Sequence, residues 1–342
     1  MAIPISLSGY RPFFGLERAR ARLAAAREAR GLSDHRSAPA RAGAAEPSTP
    51  TPSTYEEIDF SFDAADGAYW CWMNPKGAPS FTPGMLTELA SYTATIRAHC
   101  ARAETDAGVS PPKQAVLASR IPGVYNLGGD LERFSRWIVA RDREALTEYA
   151  YSCIHVLHDN AIGFGNPILT IALVQGDALG GGFETALSCH MIVAERGVKF
   201  GFPEILFNLF PGMGASSLLT RRVGLARAEN MIASGRIFTA EELYEMGLVQ
   251  VLAEPGDGVD ATRRLIRQNQ KRHNGLTAML RASARVSPMP YEELRDVTDI
   301  WVEAALELHP ADLRKMQRLV TAQDRRMTAA GVRSPASEAE IA

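Results

Sequence analysis

The stretch VQGDALGGGFETALSCHMIVAE, residues 174–195, contains three consecutive glycines, Gly180 to Gly182, and Glu184 follows closely. It joins the apolar run 168–174 to a second segment whose apolar residues recur with helical periodicity. Glycine permits backbone dihedrals and close approaches that other residues resist. The first N–H groups of a helix have no intrahelical partner and carry the positive end of the helix dipole. The stretch therefore predicts a buried strand, a tight turn and a helix, beginning near Gly182, whose first turn faces developing negative charge.

A second stretch, VYNLGGDLERF at residues 124–134, has the same character. Here Gly128 and Gly129 follow a strand-like segment and precede a helix. Two such turns could each supply one backbone N–H, and two donors make an oxyanion hole. Each feature also has an ordinary structural explanation, because glycines occur in plain tight turns and an acid in a first helical turn can simply complement the dipole.

The segment KFGFPEILFNLFPGMGASSLLTRRVG, residues 199–224, places a second carboxylate, Glu204, among apolar and aromatic side chains. Burial of a carboxylate raises its pKa, which suits proton transfer near neutral pH. If Glu184 and Glu204 meet in the fold, one of them can hold a proton while the other does not. Both glycine turns and both glutamates, taken together, favour a catalytic site over four unrelated features.

Composition places the chain among ordinary globular proteins. It has 342 residues, 46% hydrophobic and 22% charged, with a net charge of -2, which gives no indication of a nucleic-acid partner. Its four cysteines are widely spaced, which predicts reduced thiols in a cytoplasmic protein. The apolar run 168–174 is far shorter than the roughly 18 residues of a membrane span. We therefore expect a cytoplasmic protein with no membrane span.

The chain divides by composition into four parts. Residues 1–54 are rich in Ala, Arg, Pro and Ser, which predicts a flexible extension, with a transit peptide as the alternative. Residues 55–258 alternate strand and helix patterns and predict an α/β core. Residues 259–330 are almost wholly helical by period and predict a C-terminal helical region. Residues 331–342 predict a flexible tail.

Local signals define several elements within the core. Alternating residues on both sides of Asp66-Gly67 predict two short strands around a turn. Thr82 and Pro83 predict the N-cap and first position of a helix. Thr239 and Glu242 form a capping-box pattern at the start of another.

The residues from Glu57 to Leu252 resemble the crotonase (enoyl-CoA hydratase/isomerase) superfamily. The resemblance implies a spiral of ββα units followed by a helical C-terminal region, residues 259–330, that serves oligomerisation and pocket cover. It also implies a homo-oligomer, a trimer or a dimer of trimers, and no metal or redox cofactor. By position, Gly129 and Gly181 match the oxyanion-hole residues, which bind the thioester carbonyl. Glu184 and Glu204 match the two acid/base glutamates of the hydratases, and we expect Glu204 to act as the base and Glu184 as the acid.

Several positions depart from common hydratases, which usually carry Asp where this chain has His190 and a PGAGG-like turn where it has PGMGA, residues 211–215. With NLGGDL, residues 126–131, these features are similar to the diffusible signal factor synthases of bacterial quorum sensing. That subgroup implies dehydration of 3-hydroxyacyl-[acyl carrier protein] to the cis-2-enoyl thioester, hydrolysis to the free cis-2-unsaturated fatty acid, and a receiver domain of a sensor kinase as a regulatory partner. The alternatives are an enoyl-CoA hydratase/isomerase acting on CoA-bound substrate, a non-catalytic relative, and an RNA-binding relative, for which the core shows no basic stripe.

A signal synthase must enclose a long acyl chain, so the sequence predicts a closed apolar tunnel for about ten or more carbons. Its expected lining consists of Trp137, Leu206, Phe207 and Met213, although each of these could equally be ordinary core.

Three further groups of residues could serve binding or catalysis, but each could also serve only packing or form a solvent-exposed surface. His155, His158 and Asp159 could bind a metal, but their amphipathic helix favours packing. Cys189-His190 could be a thiol nucleophile, and core packing is preferred. Arg221-Arg222 could meet a phosphate, and a solvated helix face is preferred.

Overall fold

The computed structural model describes residues 55–329, with side chains described as far as residue 321. The predicted extension at residues 1–54 and the predicted tail at 331–342 lie outside the described residues. None of the described helices combines the length and the apolar character needed to cross a bilayer.

Two sheets form the scaffold of the described chain. Their strands are β1 (Ile58–Asp63), β2 (Ala68–Met73), β3 (Gln114–Ser119), β4 (Val124–Asn126), β5 (Leu169–Val174), β6 (Asp177–Leu179), β7 (Met191–Glu195), β8 (Lys199–Gly201), β9 (Ile237–Thr239) and β10 (Val251–Ala253). The larger sheet has the order β1-β2-β3-β5-β7-β10 and the smaller one β4-β6-β8-β9. Pairing is parallel except for β1 with β2 and β8 with β9.

Helices connect and cover these strands. They are α1 (Pro83–Thr105), α2 (Leu131–Ala140), α3 (Arg143–Ala161), α4 (Gly181–Ser188), α5 (Ala215–Val223), α6 (Leu225–Ser234), α7 (Ala240–Glu245), α8 (Gly258–Gln270), α9 (His273–Val286), α10 (Tyr291–Leu306) and α11 (Pro310–Ala329). Two short 3-10 helices, Gly163–Gly165 and Pro203–Phe207, complete the described elements.

The local sequence signals are confirmed where the structure tests them. The hairpin of β1 and β2 turns at Asp66-Gly67. The side chain of Thr82 accepts a hydrogen bond from the N–H of Met85 at the start of α1. Thr239 and Glu242 form both bonds of the predicted capping box.

The central strands of the larger sheet are buried on both faces. Val116 and Ile171 lie in a cluster with residues of α8, whereas their chain neighbours Leu117 and Ala172 lie in the main core. A strand covered on both sides reads as a continuous apolar run, because neither face meets water. This burial explains why residues 168–174 lack alternation.

A repeated unit of two strands and one or more helices positions the candidate site. A strand of the large sheet leads three times into a short strand of the small sheet and then into helices: β3 into β4, β5 into β6, and β7 into β8. Because β4, β6 and β8 are parallel neighbours, their carboxyl ends lie along one edge. The segments that follow these three strands contain Gly129, Gly181 and Glu204.

Candidate active site

The three glycines of the central stretch are required for three different contacts. Gly180 has φ of +52°, and a Cβ there would lie 2.4 Å from an oxygen of Glu204. A Cβ on Gly181 would lie 2.3 Å from the sulfur of Met213, and one on Gly182 would lie 2.0 Å from the carbonyl oxygen of Asn126. The turn therefore brings a carboxylate, a thioether and a neighbouring strand against bare backbone.

Gly129 and Gly181, the two candidate oxyanion-hole residues, line the same cavity. A Cβ on the adjacent Gly128 would lie 2.9 Å from the nitrogen of Gly181, so the two glycine turns touch. Within the described residues, neither the N–H of Gly129 nor that of Gly181 donates a hydrogen bond to another protein group. Two unpaired donors beside a cavity can accept a ligand oxygen.

The Gly129 turn is held from both sides by Phe81 and Tyr149. Phe81 forms a parallel bridge with Gly129, and its N–H donates to the carbonyl of Gly128 at 2.8 Å. The buried hydroxyl of Tyr149 donates to the carbonyl of Phe81 and accepts from the N–H of Asp130 at 3.2 Å. These bonds fix the backbone immediately before and after the candidate donor.

Glu184 lies in the first turn of α4 and is 1% exposed. One carboxylate oxygen, Oε1, accepts hydrogen bonds from the N–H groups of Met213 and Ala215, both at 2.8 Å. Burial, and secondarily the charge of Glu204, raises the pKa of Glu184 well above its ordinary value, despite the opposing effect of these bonds. Glu184 is therefore a fixed carboxyl group that retains a proton readily.

Glu204 belongs to the short helix after β8, and its side chain reaches back to Gly180. Burial raises its pKa to about 7. Its Oε2 atom is buried and has no hydrogen-bond partner among the described residues. The Glu184 and Glu204 pKa values are both raised, mainly by burial, and the charge of Glu204 contributes to the shift of Glu184, so the two groups titrate as a pair.

A cavity of about 500 Å³ joins these groups. Three of the candidate acyl-pocket residues, Leu206, Phe207 and Met213, line it together with Gly129, Gly181 and both glutamates. Leu206 is 53% exposed, so the cavity reaches the surface there. Trp137 does not line it; the Trp137 ring packs behind the wall, with its centroid 5.6 Å from that of Tyr149.

Several lining residues were not identified from the sequence. Phe134, Tyr149 and Cys153 come from α2 and α3, and Trp301 comes from α10. The Trp301 ring lies 5.1 Å from that of Phe134 and closes over Gly212, where a Cβ would lie 2.4 Å from the indole. Trp301 is an isolated aromatic residue in a helical segment, and only tertiary packing shows that it covers the cavity.

The candidate metal ligands have other contacts. The carboxylate of Asp159 pairs with Arg97 at 2.5 Å. His155 and His158 pack their rings against Tyr291, with centroids 5.3 and 5.5 Å away. In the part of the chain whose side chains are described, no group of three or more His, Cys, Asp or Glu is arranged to hold a metal.

The arginine pair at the end of α5 is not the solvated face that the sequence favoured. Arg222 is partly buried and donates to the carbonyls of Leu187 and Cys189, at 2.8 and 2.5 Å. Arg221 makes a two-pronged ion pair with Glu293, with both distances 2.7 Å. The prediction was wrong because the acceptors for Arg222 come from the end of α4, which its own helix does not reveal.

A sequence model of one family, enoyl-CoA hydratase/isomerase, matches residues 74–300. Over 159 residues the chain is 40% identical to the peroxisomal fatty acid beta-oxidation multifunctional protein AIM1 of Arabidopsis thaliana, covering 46% of this chain and 21% of that protein. Over 151 residues it is 32% identical to a probable enoyl-CoA hydratase of Bacillus subtilis (strain 168), covering 44% and 55%. The matches thus span about a fifth to about half of the length of these relatives.

Solved structures resemble the chain over a longer span. The enoyl-CoA hydratase from Bacillus halodurans superposes with a TM-score of 0.62 at 20% identity and covers 77% of this chain and 100% of that one. Human mitochondrial delta3-delta2-enoyl-CoA isomerase superposes with a TM-score of 0.62 at 14% identity, covering 79% and 99%. At these identities the likeness concerns the fold, and the predicted crotonase fold is confirmed.

Proposed function

Because the chain belongs to the enoyl-CoA hydratase/isomerase family, we propose that its paired glutamates interconvert 3-hydroxyacyl and 2-enoyl thioesters. The observation that supports this proposal most strongly is the set of groups that share the cavity. Two buried, interacting carboxyl groups, Glu184 and Glu204, share it with the unpaired N–H groups of Gly129 and Gly181. Proton transfer next to a thioester carbonyl requires both sets of groups.

In the dehydration direction, the N–H groups of Gly129 and Gly181 bind the thioester oxygen. Glu204, whose pKa is about 7, removes a proton from C2, and the electron pair moves onto the oxygen to give an enolate. Glu184, which holds its proton more strongly, transfers it to the 3-hydroxyl. The C3–O bond breaks, water leaves, and the enolate electrons form the C2–C3 double bond.

The hydrogen bonds of the two glutamates support this division of roles. Two backbone N–H groups fix Oε1 of Glu184 in place, which suits a group that must protonate one particular leaving oxygen. Among the residues whose side chains are described, none donates a hydrogen bond to Oε2 of Glu204, which suits a base whose free electron pair must accept a proton from carbon. After one turnover the proton returns from Glu204 to Glu184 directly or through the released water.

We further propose the finer activity that the sequence suggests: release of a free cis-2-unsaturated fatty acid from a 3-hydroxyacyl-carrier protein. In this step a glutamate of the pair removes a proton from water, the resulting oxygen bonds to the thioester carbon, and the Gly129 and Gly181 N–H groups hold the tetrahedral oxyanion. Collapse expels the carrier thiol, which takes the proton. The apolar walls of the cavity, with Phe134, Phe207 and Trp301, support binding of an acyl chain.

A substrate series tests both levels of this proposal. The chain is incubated with 3-hydroxyacyl substrates from C4 to C14, each attached either to acyl carrier protein or to CoA, and products are identified by mass spectrometry. We expect the specificity constant to rise with chain length, because each buried methylene contributes up to about 0.8 kcal/mol. Free cis-2-enoic acid should accumulate from the carrier-bound substrate.

Two other outcomes are informative. Enoyl-CoA formation without free acid supports the general lyase activity and excludes the signal-synthase activity. No reaction with any thioester, while a Glu204→Gln control behaves identically, excludes both. The proposed homo-oligomer, a trimer by resemblance, and the proposed receiver-domain partner are tested separately by sedimentation of the full chain with and without that domain.

A further inference from the structure

A second cavity, of about 370 Å³, lies between the core and helix α9. Its walls include Ile162, Ile168, Leu187 and Leu218 from the core side and Leu280 from α9. No residue of α9 is buried, although the helix has Leu276, Met279 and Leu280 among its side chains. Helix α9 therefore stands over an apolar space that it does not fill.

Arg222 supplies a charge at the core side of this cavity. Its guanidinium satisfies the carbonyls of Leu187 and Cys189, which follow the last turn of α4. It forms no ion pair with any described carboxylate, in contrast to its neighbour Arg221, which pairs with Glu293. A partly buried cation without a counter-ion among the described residues attracts an anion more strongly than a fully hydrated cation does.

His190 faces the same cavity as Arg222 and supplies no negative charge to it. It lines the same cavity, and its Nδ1 accepts a hydrogen bond from the N–H of Thr170 at 3.0 Å. Burial, and then the charge of Arg222, lowers the pKa of His190 to about 4, so the imidazole is neutral at physiological pH. His190 therefore does not balance the charge of Arg222.

Arg281 adds a second cation from the α9 side. It is exposed, lines the cavity and forms no ion pair among the described residues. No acidic side chain lines the cavity within the described part of the chain. The space thus combines apolar walls with two uncompensated positive charges, and both features select for one class of ligand, an anion with an apolar tail.

We propose that this cavity binds a medium-chain fatty carboxylate, with its head group between Arg222 and Arg281 and its alkyl tail between α9 and the core. A water molecule occupies about 30 Å³ in the liquid, so the cavity has room for about a dozen groups of that size. A saturated ten-carbon acid has about that many non-hydrogen atoms. The site is separate from the catalytic cavity and does not depend on the proposed reaction.

Hydrogen exchange of the full chain in the presence of decanoate tests the proposal. Decanoate should slow exchange in residues 273–286, because the ligand joins α9 to the core. Decanol, which has the same tail without the charge, and inorganic phosphate, which has charge without a tail, should protect this helix much less. Occupancy of the catalytic cavity instead would protect residues 126–137 and 203–215, so the two sites are distinguishable by position.

Three variants give matched controls. Arg281→Gln should weaken the effect of decanoate at α9 by about tenfold or more, the usual worth of a charge-assisted hydrogen bond. Arg285→Gln removes an exposed arginine from the same helix without touching the cavity, and it should leave binding unchanged. His190→Asp should also weaken binding by about tenfold or more, because the new carboxylate competes for Arg222.

The proposal is overturned by any of three results. Decanol could protect α9 as well as decanoate does, or Arg281→Gln could bind as well as Arg285→Gln. The protection of α9 could also rise with protein concentration in the absence of decanoate, which would mean that a second copy of the chain covers the cavity. The comparison of the two exposed arginine variants remains valid even if His190→Asp fails to fold.

Discussion

Two glutamates lie at the beginning of helix α4 and an arginine lies at its end, and the two sites differ in which partner is missing. At its beginning, near Gly181, the carboxyl groups of Glu184 and Glu204 are buried together, and Glu204 retains an oxygen without a hydrogen bond. At its end, Arg222 donates to two carbonyls but has no counter-ion within the described part of the chain. Both charges complement the helix dipole. At the beginning of α4, Oε2 of Glu204 has no hydrogen-bond donor, and at its end Arg222 has no negative partner, both within the described residues. A ligand at the first end would supply a proton or a donor, and a ligand at the second end would supply a negative charge.

The largest expected effect on kcat comes from replacing the carboxyl groups of Glu184 and Glu204, at the beginning of α4, by amides. Glu184→Gln and Glu204→Gln should each lower kcat by about 10²- to 10⁴-fold, because each removes one proton-transfer group. Both variants should fold, since an uncharged amide is easier to bury than a carboxylate. Steady-state assays with circular dichroism check the pair, and near-normal turnover by either folded variant would show that its glutamate is not required.

A change of pH should alter activity and stability through Glu184 and Glu204, at the beginning of α4. The activity of the wild type in dehydration should rise as Glu204 ionises, near its pKa of about 7, and fall at higher pH as Glu184 loses its proton. The raised pKa of Glu204 means that the folded protein binds this proton more tightly than the unfolded chain does. Stability should therefore decrease as pH rises from its ordinary pKa of 4.5 through about 7. A pH series of kcat/KM and Tm measures both trends, and Glu204→Gln should flatten each of them.

A smaller effect on kcat is expected from removing the Tyr149 hydroxyl, which supports the Gly129 turn. Tyr149→Phe should lower kcat by about tenfold with little change in KM, because Phe81 and Asp130 lose the hydroxyl that fixes the turn. Tyr92→Phe is the matched control, since the buried hydroxyl of Tyr92 has no partner among the described residues. Equal kinetics for these two variants would exclude the positioning role of Tyr149.

The smallest effect on catalysis is expected at the other end of the helix. Arg222→Met should lower the free energy of unfolding by about 1–3 kcal/mol, because two carbonyls lose their donor, while kcat of the folded protein stays within about twofold. Urea unfolding and steady-state assays measure the two quantities. Arg285→Gln should change stability by less than about 0.5 kcal/mol. A large loss of kcat in Arg222→Met would mean that the two ends of α4 are coupled.

Sequence reasoning was most successful where the cause is local. Caps, the turn at Asp66-Gly67 and the glycine-rich starts of helices are set by residues close together in the chain, and these were predicted. Glu184 and Glu204 were candidates because an acid in an apolar segment is unusual, but their meeting was only a condition of that hypothesis, and their roles remain a prediction. The contacts that make each glycine necessary involve other segments and became clear only in the structure.

The errors concern side chains whose partners are distant in sequence. Trp137 lies one turn after Phe134 on the predicted helix, with the two ring centroids 6.5 Å apart, but only Phe134 reaches the cavity, and the pattern of α2 alone does not show which of the two rings does so. Trp301 covers the site from a helix far along the chain. Arg222 looked solvated because the carbonyls that it bonds come from another helix. Each depends on how elements pack, which local propensity does not determine.

The parallel arrangement of β4, β6 and β8 has a consequence for synthesis on the ribosome. Strands that pair in parallel are separated by long connections, so their contacts form late and slowly compared with hairpins. Gly129 emerges well before Gly181, and Glu204 follows both. We therefore expect a nascent chain to remain inactive until the segment through β8 has been translated and docked, and its exposed strand edges to need protection from aggregation during that interval.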